Sequence, residues 1–337
     1  MKLELDSQLS AHCESGATTN LLNFYKIQMN EPLAFGIGAG MYFGHLPFLK
    51  MNYMPVTTFR ALPGLVFVRT CKHLGIKYFR KGFKDPEQSM IELDKVLETG
   101  TPVGMQVGVY NLPFFPAEYR MHYNMHNMVI YGHEGDKYYV ADSVVAGEHT
   151  LTREELKRVR YPKGAFSPKG KMYYVISVPE TVDYKAAVLK GIKKVIFEMT
   201  PPFWMVGVRG IRFLSRKVRS WPKKLGVKMA SRYLGQLILM QEEIGTGGCG
   251  YRFIFAAYMS EAAKILDDPK FIEFAKQVND IASKWREFSY QGARNCKERS
   301  GPEITYDALA DILLEVADKE AQLYKDLKSH LRTHYNM

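Results

Sequence analysis

The chain has 337 residues, of which 46% are apolar, 13% are aromatic and 24% are charged. This composition is typical of a globular protein with a sizeable core and excludes a disordered chain, and the length indicates two domains or one large one. We find no apolar stretch long enough to span a membrane and no apolar signal core near Met1. The four cysteines are scattered and form no disulfide or metal-site pattern, so we expect a cytoplasmic protein without a metal.

The net charge of +11 is concentrated in one block, because no acidic residue occurs between Met199 and Gln241. Such a block attracts an acidic carrier protein, an anionic membrane surface or nucleic acid. Nucleic acid is the least favoured partner, since no nucleic-acid-binding motif accompanies the charge. A solvated helix face is the alternative without a partner. The basic residues of the block are Arg209, Arg212, Arg216, Lys217, Arg219, Lys223, Lys224, Lys228 and Arg232.

A cysteine near the N-terminus precedes a short amphipathic run. Leu21, Leu22 and Tyr25 follow Cys13 at helical spacing, and Ser10 is the predicted N-cap. A cysteine at a helix start lies at the positive end of the helix dipole, which favours the thiolate over the thiol. This placement indicates a nucleophile. A buried structural cysteine is the alternative.

A cysteine nucleophile needs a histidine as general base and usually a third group that orients the histidine. His126 precedes one strand of a predicted hairpin, and Asp142 follows the other. We therefore predict His126 as the base and Asp142 as its orienting group. His122, in the preceding loop, and His133, in the predicted turn, are the alternative bases.

The order of the elements predicts an α+β, papain-like domain followed by an all-α domain. One helix precedes antiparallel strands that carry the histidine and the aspartate, as in papain-like cysteine enzymes. From Asp183 onward, apolar residues recur with the period of a helix. We place the boundary near Pro179, which gives a catalytic domain over residues 1–180 and a helical domain over residues 181–337.

Four stretches occur in a characteristic order: His12-Cys13-Glu14, residues 35–40 (Phe-Gly-Ile-Gly-Ala-Gly), His126 with a β-run that ends at Gly132, and Asp142 followed by a Leu-Thr-x-Glu-Glu-Leu helix. Together they resemble the N-terminal domain of the butirosin biosynthesis protein H family. The second half, through residues 247–253 and 257–262, is similar to the helical domain of unknown function that commonly follows it.

The resemblance implies a papain-like fold and acyl transfer. The named member of the family moves an aminoacyl group from an acyl-carrier-protein thioester to an aminoglycoside amine. For this chain we expect a phosphopantetheine-linked acyl donor as substrate, an amine or hydroxyl on a small molecule as acceptor, and no bound cofactor. An acidic acyl carrier protein is the expected partner, and the basic block is its predicted docking surface.

Two other functions remain open from the sequence. With water as the acceptor, the same three residues would make a cysteine amidase or peptidase, because only the exclusion of water separates the two activities. Alternatively, the chain is a non-catalytic protein that binds a carrier or an anionic membrane. In the membrane case, Phe203, Trp204 and Trp221 would lie with the basic block on the membrane surface.

Further candidate residues surround the predicted nucleophile. The backbone N–H of Cys13 is the predicted first oxyanion donor, and Gln8 is a candidate second donor, although its spacing from Cys13 differs from that of papain-like enzymes. His12 and Glu14 flank Cys13 and are expected to shape the substrate pocket. Arg252 follows a glycine-rich break at a helix start, where it is expected to bind an anionic substrate group, with a surface arginine as the alternative.

Overall fold

The computed structural model describes residues 1–51, 53–244, 246–296 and 304–337. The chain forms two compact units, the first of residues 1–34 and 63–183 and the second of residues 35–62 and 184–337. One passage between the units follows Asp183, close to the predicted boundary near Pro179. The sequence-based division placed residues 35–62 in the catalytic domain, whereas they are part of the second unit.

The helices and strands follow one another in this order: α1 (Cys13–Phe24), α2 (Glu31–Ile37), β1 (Met41–Met51), β2 (Met54–Arg60), α3 (Leu65–His73), β3 (Lys77–Lys81), α4 (Pro86–Glu98), β4 (Val103–Val107), β5 (His126–Glu134), β6 (Lys137–Ala141), β7 (His149–Thr152), α5 (Arg153–Arg160), β8 (Met172–Ser177), α6 (Tyr184–Met199), α7 (Gly207–Leu225), α8 (Val227–Glu242), α9 (Arg252–Leu266), α10 (Lys270–Cys296) and α11 (Tyr306–Tyr335). Short 3-10 turns occupy Ala117–Tyr119 and Cys249–Tyr251. The predicted fold class, an N-terminal helix and antiparallel sheet followed by a helical part, is confirmed.

The first unit is built on an antiparallel sheet with the strand order β3-β8-β4-β5-β6-β7. Alternate residues of β4, β5 and β6 point to one face and form an apolar core with α4 and α5. Helix α1 packs against β4, β5 and β8 on the other face. In the β5–β6 hairpin Val129 pairs with Ala141, so the start of β5 and the end of β6 lie next to each other at the open end of the hairpin.

Local sequence signals account for the starts of α4 and α5. Asp85 caps α4 by accepting from the N–H of Gln88, and Pro86 occupies the first turn, where its missing N–H costs nothing. Thr152 and Glu155 form a reciprocal capping box at α5. Each cap joins residues that are three positions apart in the sequence.

The second unit combines the β1–β2 hairpin with helices α6 to α11. Phe43 and Phe59, one from each strand, meet edge to face with ring centroids 5.4 Å apart. Phe59 contacts the fully buried Trp285 of α10 in the same way, at 5.4 Å. The hairpin therefore contributes its aromatic residues to the core of the helical unit. Within the described parts of the chain, no helix combines the length and hydropathy needed to cross a membrane.

Candidate active site

Cys13 is the first residue of α1, and the preceding residue, His12, is the N-cap. The predicted N-cap Ser10 is wrong, because the backbone N–H of Ser10 instead donates to the carbonyl of Ser143 at 2.7 Å. The segment ahead of the helix is held by Glu31, whose carboxylate accepts from the N–H groups of Ala11 (3.1 Å) and His12 (2.6 Å). Cys13 therefore lies at the positive end of a well-anchored helix, where a thiolate is favoured.

His126 and Asp142 form a buried pair at the open end of the hairpin, where β5 begins and β6 ends. The Nε2 atom of His126 lies 2.5 Å from Oδ2 of Asp142. The other carboxylate oxygen of Asp142 accepts from the backbone N–H groups of Val144 (2.8 Å) and Val145 (3.0 Å), which fixes the orientation of the carboxylate. Both side chains are less than 6% exposed. Because Nε2 of His126 is bonded to Asp142, Nδ1 is the ring nitrogen that can interact with another partner.

That partner is Cys13, with which the imidazole shares a hydrogen bond and a charge interaction. Burial disfavours the protonated imidazole, but the charge and hydrogen bond of Asp142 and the interaction with Cys13 outweigh it and raise the pKa of His126 to about 10. Burial likewise works against the ionised form of Asp142, yet His126 and the two backbone donors hold the pKa of Asp142 below its usual value. At neutral pH His126 is thus an imidazolium, which favours the thiolate of Cys13.

A glycine allows α1 to approach the Asp142 segment closely. A Cβ atom on Gly16 would lie 2.4 Å from Cβ of Ser143 and 2.8 Å from Cβ of Ser10. The Ser143 hydroxyl in turn donates to the carbonyl of Cys13 at 3.4 Å. The absence of a side chain at Gly16 therefore determines how near the nucleophile lies to the His126–Asp142 pair.

Comparison with known proteins places this site in a family. Residues 12–143 match the family profile described as butirosin biosynthesis protein H, N-terminal, a range that begins one residue before Cys13 and ends one residue after Asp142. Residues 154–327 match a domain of unknown function (DUF4872). The chain belongs to the butirosin biosynthesis protein H-like family. The N-terminal helix and antiparallel sheet of its first unit agree with the predicted fold class.

Other comparisons are more distant. No curated protein sequence matches this family member at a significant level. Among solved structures, a protein from Bacillus anthracis described as a C39-like peptidase is 16% identical, with a TM-score of 0.36 over 52% of this chain and 92% of that one.

The alternative histidines of this family member, and two of its other cysteines, lie in other surroundings. His122 is exposed and stacks on Tyr110, and His133 stacks on Tyr138 near the turn between β5 and β6. Burial raises the pKa of Cys71, and burial followed by the charge of Glu242 raises the pKa of Cys249 to about 11. Both cysteines therefore stay protonated at neutral pH and are poor nucleophiles.

Gln8 is not placed with the three predicted catalytic residues. Its side chain is exposed, and its backbone N–H donates to the side-chain oxygen of Asn20 at 3.1 Å. It lines a groove of about 1190 Å³ together with Lys2, Glu4 and other residues, a lining that does not include Cys13, His126 or Asp142. The structure therefore gives no support to Gln8 as an oxyanion donor.

The neighbours of Cys13 in sequence hold the local backbone. His12 is buried, with Nδ1 2.7 Å from the hydroxyl of Ser15. Glu14 is also buried, and its carboxylate accepts from the N–H of Val66 at 2.8 Å, at the start of α3. These contacts fix α1 relative to α3, and whether His12 and Glu14 also shape the pocket stays a prediction.

The expectation that Arg252 binds an anionic substrate group is corrected by the structure. Arg252 is 1% exposed, and its Nε atom donates to the carboxylate of Glu320 at 3.0 Å. Nη1 donates to the carbonyl of Gly250 at 2.8 Å, and the guanidinium lies 5.0 Å from the ring centroid of Trp285. Its charge is already compensated inside the second unit, so Arg252 is neither a surface arginine nor an anion site.

The predicted docking residues divide into a paired and an unpaired group. Arg212 pairs with Asp318, Arg219 with Asp307 and Asp311, and Arg209 donates to the carbonyl of Pro202. Lys217 lies 4.9 Å from the ring centroid of Phe213. Within the residues that the structure describes, no ion pair engages the exposed Arg216, Lys223, Lys224, Lys228 and Arg232. We call Lys223, Lys224 and Lys228, which flank the α7–α8 connection, the basic cluster.

One contact to Cys13 was not predicted. The side-chain amide of Asn127, the second residue of β5, lies 3.9 Å from the sulfur of Cys13. An asparagine next to His126 carries no sequence signal, since the contact depends on α1 packing against that face of the sheet.

Proposed function

We propose that this protein is a cysteine-dependent acyltransferase that moves an acyl group from a phosphopantetheine thioester to an amine or hydroxyl acceptor. One observation carries the proposal: a buried histidine is bonded to Asp142 through one nitrogen and interacts with the cysteine at the start of α1. A thiolate held in this way supports covalent catalysis. Membership of a family named for butirosin biosynthesis supports a role in specialised metabolism.

In the first half-reaction, the Cys13 thiolate attacks the carbonyl carbon of the donor thioester. A carbon–sulfur bond forms to Cys13, and negative charge moves to the carbonyl oxygen, towards which the backbone N–H of Cys13 would donate. The bond to the donor sulfur then breaks, and His126 gives its proton to the departing pantetheine thiolate. The products are an acyl thioester on Cys13 and a free pantetheine thiol.

In the second half-reaction, the acceptor nitrogen or oxygen attacks the acyl carbon on Cys13. Neutral His126 takes the proton of the acceptor, and Cys13 leaves as a thiolate, which restores the original ion pair. Because the intermediate is itself a thioester, the energy of the donor bond is retained for the second transfer. Asp142 holds the His126 ring in place through both steps.

An acidic acyl carrier protein is the proposed source of the donor. The basic cluster supports this part of the proposal, because its cations are exposed, without ion pairs in the described residues, and far in sequence from any acidic residue. Complementary charge of this kind raises the rate of encounter and selects the partner. Anionic lipid is the alternative partner: of the aromatic residues that a membrane would contact, Phe203 and Trp204 are exposed, whereas Trp221 is buried.

The proposal is tested by following donor consumption with and without an acceptor. Acyl-pantetheine thioesters of several acyl classes are incubated with the protein and a panel of amines and alcohols, and thiol release and products are measured by mass spectrometry. We expect release that depends on Cys13 and an acylated acceptor as the main product. Free carboxylic acid as the main product, whatever the acceptor, would identify a hydrolase instead. Thiol release that is equal in Cys13→Ala would contradict both enzymatic functions.

A further inference from the structure

We propose that Asn127 is a further catalytic residue, whose side-chain amide donates a hydrogen bond to the sulfur of Cys13, and that Tyr173 and Gly104 position it. The proposal rests on the proposed function only in taking Cys13 as the reacting atom. It assigns to the amide the stabilisation of the thiolate, both before attack on the donor and when the sulfur leaves the acyl group.

The amide of Asn127 is buried against the nucleophile. Asn127 pairs with Gln106 in the sheet, on the face that α1 covers, and is 1% exposed. Its Nδ2 atom lies 3.9 Å from Sγ of Cys13, within the range of an N–H···S hydrogen bond, and 3.2 Å from the carbonyl oxygen of Met125. The two N–H bonds of the amide thus have one partner each.

The orientation of this amide is fixed by its neighbours. The hydroxyl of Tyr173 donates to Oδ1 of Asn127 at 3.0 Å. A carbonyl oxygen can only accept, so the group beside Met125 must be the NH2 end of the amide. A flipped amide would direct its oxygen at both the Met125 carbonyl and the Cys13 sulfur, which would repel a thiolate. The donor end therefore faces Cys13.

A glycine in the neighbouring strand makes room for Tyr173. Gly104 pairs with Tyr173 across β4 and β8, and a Cβ atom at Gly104 would lie 2.2 Å from Cε2 and 2.6 Å from Cζ of the tyrosine ring. The ring thus lies flat over the strand, where a side chain would prevent it. Phe67 covers the ring from α3, with centroids 4.5 Å apart. This packing carries the hydroxyl across β4 to reach Asn127 on β5.

The chemical effect of the amide has a definite sign. A neutral donor interacts more strongly with sulfur as an anion than as a thiol, so it stabilises the thiolate and adds to the effect of the His126 imidazolium. The same bond stabilises the sulfur as it departs from the acyl intermediate. Because the amide cannot lose its proton at ordinary pH, its contribution is the same below and above the pKa of His126.

The test is the pH dependence of Cys13 alkylation by iodoacetamide, followed on the Cys13 peptide by mass spectrometry, with folding monitored by circular dichroism. In Asn127→Leu, which keeps the branched shape and removes the donor, we expect the apparent pKa of alkylation to rise by about one unit. In Tyr173→Phe, which only frees the amide to turn, we expect a smaller rise. Tyr138→Phe removes another tyrosine hydroxyl of the same sheet, bonded to Asp94, and should cause none.

An alkylation pKa that is unchanged in both Asn127→Leu and Tyr173→Phe would overturn the proposal, and so would an equal rise in Tyr138→Phe. If Asn127→Leu does not fold, Tyr173→Phe against Tyr138→Phe decides the matter. Alkylation requires no acyl donor, so a pKa shift without any acyl transfer would support the role of Asn127 while contradicting the proposed function.

Discussion

The protonation state of His126 determines what Cys13 can do. A neutral imidazole would leave a buried cysteine as a thiol, whereas the imidazolium stabilises the thiolate at neutral pH. Burial alone would drive His126 to the neutral form, and the carboxylate of Asp142 is the main group that reverses this preference. Asp142 in turn stays ionised because His126 and two backbone N–H groups bond to it. The reactivity of Cys13 therefore depends on the charge of His126, which in turn depends on Asp142.

Replacing Asp142 by asparagine should lower the pKa of His126. Removal of the negative charge leaves burial as the dominant influence, so the pKa should fall from about 10 by roughly two units or more. As the pH is raised, the transfer rate should then begin to fall at a lower pH than in the unaltered protein. The reason is that neutral His126 cannot protonate the departing pantetheine thiolate. NMR titration of histidine-labelled protein measures the pKa directly.

Asp268→Asn is the matched control for this substitution. It removes the carboxylate that lies 2.7 Å from Nε2 of His330 in the second unit, so it changes a histidine–aspartate pair without touching the site. His126 should titrate there as in the unaltered protein. A pKa of His126 that is unchanged in Asp142→Asn would contradict the role given to Asp142.

The sequence indicates these three residues more readily than their neighbours. Cys13, His126 and Asp142 each stand at the end of an element with a strong signal, a helix start and the two strands of a hairpin, so their meeting can be predicted. Asn127 and Gly16 act through side chains and close approaches that depend on how α1 packs on the sheet. No local pattern reports such packing, and Asn127 was not predicted for that reason.

At the scale of elements, the strongest predictions came from local chemistry. The predicted β5–β6 hairpin is confirmed, because it depends on residues near in sequence. The predicted cap at Ser10 failed, since that residue bonds to Ser143, far along the chain. The basic helix α7 shows the same limit. Its cations are evident in the sequence, but which of them are paired depends on α11.

Reversing the charge of the basic cluster should weaken transfer from a carrier-bound donor. In a triple variant that combines Lys223→Glu, Lys224→Glu and Lys228→Glu, we expect the KM for an acyl carrier protein to rise at least about tenfold. The negative charges of the variant would then repel the acidic partner. The KM for the same acyl group on free pantetheine should not change. Steady-state kinetics with both donors measures the difference.

The control for this variant is an equal reversal elsewhere. Lys276, Lys325 and Lys328 are exposed on α10 and α11. Replacing these three lysines by glutamate changes the net charge by the same amount as the variant of the basic cluster does. An equal rise in KM for the carrier in this control would show a general charge effect and contradict docking at the basic cluster.

At the scale of the whole molecule, the chain is divided in a way that its order does not reveal. The β1–β2 hairpin lies between segments of the first unit in sequence but packs its aromatic residues around Trp285. Strand signals show that a hairpin exists, yet they do not say which core it joins, because that depends on contacts between distant residues. The buried Arg252–Glu320 pair is a second such case, since its partners lie on α9 and α11.

The Arg252–Glu320 pair should be strongly coupled in stability. Arg252→Met leaves the Glu320 carboxylate buried without its countercharge, which should lower the free energy of unfolding by about 3–5 kcal/mol. Adding Glu320→Gln removes that charge while keeping an acceptor for the indole N–H of Trp285, which donates to Oε1 at 3.0 Å. The double variant should therefore be more stable than Arg252→Met. Urea unfolding followed by tryptophan fluorescence gives the values, and purely additive losses would contradict the coupling.

The central claim is that Cys13 carries the acyl group, and the most direct measurement is the intact mass of the protein after mixing with acyl-pantetheine or acyl-carrier thioesters. We expect a mass increase equal to one acyl group, located on the Cys13 peptide, absent in Cys13→Ala and discharged when the acceptor is added. An acyl adduct that persists in Cys13→Ala, or acyl transfer that proceeds at an unchanged rate without Cys13, would contradict the account.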